Sequence, residues 1–101
     1  MSQSTDRRNL RRIAHRLKPI VTVAEKGLSE NVLKEVDRAL HDHELIKIRV
    51  VVGDRQVRES LINALCEQLQ CERVQRIGNI AVLFRAAEKP DPRLSNLLRP
   101  Q

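Results

Sequence analysis

PIVTVAEKGLSENVLKEVDRAL, residues 19–40, changes period halfway along its length. Residues 19–23 form a short β-branched run of the kind that favours a strand. From Ser29 onward, Val32, Leu33, Val36, Ala39 and Leu40 recur at the spacing of one helical face. Ser29 suits the N-cap, and Glu30 puts a carboxylate in the first turn, where the helix dipole favours it. Strand and helix are joined by AEKG, which ends in Gly27, one of only three glycines in 101 residues. A strand passing directly into a helix is the first half of a crossover unit, so an α/β fold is expected.

Downstream, LIKIRVVV (45–52) supplies the next strand. Ile46, Ile48, Val50 and Val52 alternate with Leu45, Lys47, Arg49 and Val51, giving one apolar face and one face carrying two cations. Gly53-Asp54 closes it, and Asp54 is a second N-cap. Val57, Leu61, Ile62, Leu65 and Leu69 predict a helix running to about residue 69. RVQRI and IAVLFR flank Gly78-Asn79, a two-residue hairpin signal. Upstream, residues 5–17 carry an apolar stripe of Leu10, Ile13, Ala14 and Leu17, and Pro19 ends that helix. The order is α-β-α-β-α-β-β. It predicts an α/β two-layer sandwich in which helices pack on a four-stranded mixed sheet. Residues 1–86 read as a single domain. Residues 87–101 contain three prolines and no period, and read as a tail that is flexible or only partly docked.

Nineteen Lys+Arg against thirteen Asp+Glu leave a net charge of +6, which favours a polyanionic partner. The cations gather in particular places. Arg7, Arg8, Arg11, Arg12, His15 and Arg16 fall opposite the apolar stripe of the first helix, with only Asp6 nearby to balance them. Lys18 follows, and Lys47 and Arg49 share one face of the second strand. Phe84 is the only aromatic residue. Modules that stack bases on aromatic rings are therefore excluded. Contacts to nucleic acid would rest on arginines, lysines and backbone amides.

Catalysis finds little support. No Gly-rich phosphate loop, nucleophile elbow or zinc-spaced cluster occurs. His41-x-His43-Glu44 reads as a polar helix end rather than a metal site. Cys66 and Cys71 read as core or turn thiols rather than a redox or zinc pair. No apolar run is long enough to span a membrane, and the cysteine usage fits a reduced cytoplasm. No cofactor, small-molecule substrate or metal is expected. Gly27 has two even readings: a turn residue needing φ > 0, or a gap that lets a phosphate approach beside Lys26.

LRRIAHRLKPIVTVAEKGLSENVLKEVDRALHDHELIKIRV, followed by IGNIAVLFR, resembles the CRM domain family (chloroplast RNA splicing and ribosome maturation) over roughly residues 10–86. It is most similar to the stand-alone, YhbY-like bacterial branch. The resemblance implies a fold similar to the C-terminal domain of bacterial translation initiation factor three, and RNA binding without catalysis. For the bacterial branch it implies association with the rRNA of precursor large ribosomal subunits; in plants, related domains bind group II intron RNA. The family's GxxG loop corresponds to Ala24-Glu25-Lys26-Gly27, where Ala24 replaces the first glycine and Glu25 adds a negative charge. That departure moves the expected RNA contacts toward Lys26, Gly27 and the arginine-rich first helix. The expected function is an rRNA-binding assembly factor of the large subunit. A general RNA chaperone or regulator, or a basic protein–protein adaptor, are the alternatives.

Overall fold

The computed structural model describes residues 6–24 and 26–98. Thr5, where the first helix was expected to begin, the charge of Glu25, and residues 99–101 of the tail lie outside the described residues. Seven elements follow in the expected order: α1 (Arg7–Ala14), β1 (Pro19–Val23), α2 (Glu30–His43), β2 (Leu45–Val50), α3 (Arg55–Leu69), β3 (Glu72–Ile77) and β4 (Ile80–Phe84).

The helix starts are set locally. The Asp6 carboxylate accepts from Arg8 N–H at 3.0 Å. Ser29 Oγ accepts from Val32 N–H at 3.2 Å, and Asp54 accepts from Gln56 N–H at 2.7 Å. Each satisfies an amide that has no partner within its own helix. α1 ends at Ala14, short of the expected residue 17. Arg16 N and Leu17 N instead bond the carbonyls of Ile13 and Ala14, three residues back. Such bonds tighten a last turn, and Pro19 then requires an extended Lys18.

The sheet order is β1-β2-β4-β3. β1 and β2 are parallel, and β4 is antiparallel to both of its neighbours, so the sheet is mixed. α2 and α3 cover one face. Val36, Leu40, Ile62 and Leu65 meet Val21, Val23, Ile46, Ile48, Val50 and Leu83 there. The two layers expected become three, because α1 does not join α2 and α3 on their face. The structure sets it on the other face, where Leu10, Ile13 and Ala14 pack on Leu45, Val74, Val82 and Phe84. Burying a Leu or Ile side chain in this way contributes roughly 1.5–3 kcal/mol.

The tail docks along part of its length. Asn96 N–H donates to His43 O at 3.0 Å, and Asn96 Nδ2 donates to Leu45 O at 2.7 Å. Ser95 is fully buried, and its hydroxyl donates to Glu44 Oε1 at 2.6 Å. The same carboxylate accepts from Ala87 N–H at 2.8 Å. Leu97 packs against the α1 cluster. Glu44 caps α2 with φ +63, a conformation unusual for a residue with a side chain, and these tail contacts hold it in place.

Candidate nucleic-acid interface

Placing α1 on the sheet turns its arginines to solvent. Arg8, Arg11, Arg12 and Arg16 are all exposed, and together with His15 they line one open surface on the helix. Arg12 donates to Asn9 Oδ1 at 2.7 Å. Arg8, Arg11 and Arg16 have no carboxylate partner among the described residues. Arg7 differs from the rest. It pairs with Glu72 at 3.1 Å and donates to Arg73 O at 2.9 Å, so it ties the first turn of α1 to β3.

The other expected cations are divided by the sheet. Leu45 packs under α1, so the alternation of β2 puts Lys47 and Arg49 on the α1 face. Lys47 is half-buried and stands between two hollows. Arg16, Lys18 and Ile20 border one, and Arg11 and His15 border the other. Arg49 is exposed and lies between Thr22 of β1 and Ile80 of β4. Thus α1, Lys18, Lys47 and Arg49 share one side of the molecule.

Lys26 and Gly27 lie elsewhere, at the end of β1 beside α3. Gly27 N–H donates to Ala24 O at 2.8 Å, which closes the turn, and its φ is +75. A side chain there would be strained by φ alone. An added Cβ would meet Leu61 of α3 at 3.4 Å, so the space left by the glycine faces the protein. Lys26 is exposed beside it.

A second arginine group was missed in the sequence. Arg55, Arg73 and Arg76 surround a cleft with Arg7 and Glu59. Arg73 Nη1 is 2.6 Å from Glu59 Oε1, and Arg76 Nε pairs with the other carboxylate oxygen. The Arg73 hydrogen bond chiefly holds the Glu59 carboxyl below its ordinary value. Residues 73 and 76 would point to opposite faces of a regular strand. The register shifts between Arg73 and Gln75, and this irregularity lets both arginines reach one carboxylate. Opposite charges on the two segments were visible in the sequence, but the bulge was not.

The other polar groups weighed for chemistry have structural partners. His43 Nδ1–H donates to Leu94 O at 2.8 Å, and Glu44 receives the tail. Cys66 O accepts from Cys71 N–H at 3.0 Å around the left-handed Gln70, which closes α3. This closure brings the two thiols into hydrogen-bonding contact. The contact pushes Cys71 above the ordinary thiol range and holds Cys66 below it.

The fold recurs in a known protein family. The family model for the CRS1/YhbY (CRM) domain matches residues 3–85. The chain belongs to the CRM domain family. A relative from Pseudomonas aeruginosa, named "probable RNA-binding protein", is 44% identical over 93 residues, which is 92% of this chain and 89% of the relative. One from Haemophilus influenzae, named "RNA-binding protein", is 42% identical over 80 residues, covering 79% of this chain and 81% of its own. The solution structure of a hypothetical Staphylococcus aureus protein, proposed to bind RNA, superposes with a TM-score of 0.74 at 32% identity. That match covers 88% of this chain and 93% of the other. The CRM fold thus spans α1 to β4, with the tail segment 87–98 added beyond the matched residues.

Proposed function

We propose that the protein binds RNA without acting on it chemically, and that its target is rRNA in precursor large ribosomal subunits. One observation carries the reading: the exposed arginine row of α1, presented by a helix whose other side is fixed to the sheet. Guanidinium groups match phosphate geometry with paired donors. A row that no carboxylate among the described residues neutralises is suited to an external polyanion. The names of the relatives support RNA as that polyanion. The ribosomal target rests on similarity to the bacterial branch of the family. Lys18, Lys47 and Arg49 extend the surface across the sheet, and Lys26 with Gly27 offers a separate contact at its end.

The test is sedimentation of the tagged protein from a bacterial lysate through sucrose gradients at low and high salt. The wild type is expected to travel with large-subunit precursors at low salt and to leave them at high salt. A variant carrying Arg8→Glu, Arg11→Glu, Arg12→Glu and Arg16→Glu should remain at the top. Wild-type protein that stays at the top yet binds purified RNA would remove the ribosomal assignment. Failure to bind RNA at low salt would remove the whole reading and leave an acidic protein partner as the alternative.

A further inference from the structure

α1 is shorter than the sheet it covers, and the strands on its face remain open toward the Gly78-Asn79 turn. The register shows what is left uncovered. Thr22, Arg49, Ile80 and Ile77 form one row across all four strands. The next row toward α1 holds Lys47, Val82 and Gln75. Ile77 is 66% exposed, the highest value among the large apolar residues described, although it sits in a strand beside another isoleucine. Scattered exposed aliphatic residues need no explanation. These are contiguous, and Arg49 and Lys47 flank them on β2.

Between this strip and α1 runs a groove of about 320 Å³. Ile77 and Ile80 make its open floor, with Val82 buried at the α1 end, Gln75 adds a side-chain amide, and Arg11 and Lys47 form a cationic wall beside His15. The combination matches a nucleotide. A base presents flat apolar faces, a hydrogen-bonding edge and a linked phosphate. An aliphatic floor can take the face, an amide can read the edge as donor or acceptor, and Arg11 and Lys47 can take the phosphate. Duplex RNA hides its base faces in the stack, so a single strand is the form that fits.

We infer that the open strip of the sheet receives unstacked nucleotides of single-stranded RNA, with bases on Ile77 and Ile80 and phosphates at Arg11, Lys47 and Arg49. The inference rests on the RNA-binding reading and deepens it. It gives a chain with no Trp or Tyr a means of gripping bases, with branched aliphatic side chains in place of rings.

The experiment uses the full chain with methyl-labelled Ile and Val, titrated with a short oligouridylate and, separately, with an RNA duplex of equal length. The oligouridylate should shift the methyl signals of Ile77 and Ile80. The variant Ile77→Ser should weaken oligouridylate binding about fivefold, the lower end of what a base contact contributes. It should leave duplex affinity unchanged. The salt dependence should keep its slope, because no phosphate contact is lost. If α1 signals respond to oligouridylate while the Ile77 and Ile80 methyls stay still, the strip is not the site, although RNA binding stands. Equal losses for both RNA forms would overturn the strip as well. No response to either RNA would overturn both readings. Polyglutamate producing the same methyl shifts would replace RNA with an acidic polypeptide.

Discussion

The two arginine groups of this protein contrast in what surrounds them. On α1, Arg8, Arg11 and Arg16 stand in solvent without a carboxylate among the described residues. Around the β3–α3 cleft, Arg73 and Arg76 share Glu59, and Arg7 meets Glu72. The residue type is the same, but the partners differ. An arginine already held by a carboxylate must exchange that partner before it takes a phosphate, whereas an arginine in water exchanges only hydration. A charge count in sequence cannot separate these cases. On this basis we propose the α1 row as the binding surface, whereas the cleft is a clasp that joins α1 and α3 to β3.

The largest expected effect breaks the comparison outright. Reversing Arg8, Arg11, Arg12 and Arg16 to Glu should lower RNA affinity by about a hundredfold or more at moderate salt, as the loss of several phosphate contacts implies. The melting temperature should stay close to that of the wild type. Filter binding and thermal denaturation on the same sample check both halves. A large fall in melting temperature would mean that the row also supports the fold.

Gly27→Ala should cost about 1 kcal/mol or somewhat more of folding stability, through positive φ and contact with Leu61. Denaturant unfolding measures it. RNA affinity of the folded variant then sharpens the comparison. An unchanged value assigns the glycine to the turn, and a clear loss adds the loop to the α1 surface.

Glu59→Gln tests the clasp. Arg73, then Arg76, hold this carboxyl below its ordinary value of 4.5. A depressed carboxyl contributes stability that is fully present above the ordinary value and is lost as pH falls through the lowered one. The wild type should therefore lose stability on acidification below about pH 4.5. The Gln variant should be less stable at neutral pH and show a smaller further loss in acid. RNA affinity should be unaffected. An increase in affinity would show that Glu59 masks arginines able to bind RNA.

The smallest effects come from neighbours in sequence. Arg7→Ala should reduce stability by roughly 0.2–1 kcal/mol, the range for an exposed ion pair. Arg8→Ala should leave stability alone and reduce the slope of log affinity against log salt by about 0.7–0.9, one phosphate contact. Equal behaviour of the two variants would erase the distinction drawn here between paired and unpaired arginines.

The docked tail shows where sequence reading lost information. Its prolines and absent period suggested little structure, yet Ser95 and Asn96 are buried. Their bonds go to Glu44, Leu45 and His43, some fifty residues earlier. Nothing local marks such a segment, because the groups it satisfies belong to the end of α2. The same holds for His43 and Glu44, which looked like a polar helix end and serve to hold the tail.

By itself the sequence determined the order and type of every element. Period 2 and period 3.6 are local properties of side-chain direction, and Ser29 and Asp54 act within three residues of themselves. It also determined that a positive surface exists, since six unbalanced charges must lie somewhere near solvent. Only the tertiary structure decided which face α1 covers, which arginines keep a carboxylate, and that Ile77 and Ile80 remain open beside Lys47. Those outcomes depend on pairs distant in the chain, such as Leu45 with Phe84 and Glu59 with Arg73, and on one register shift in β3. A slip of one residue there would turn each following side chain to the opposite face.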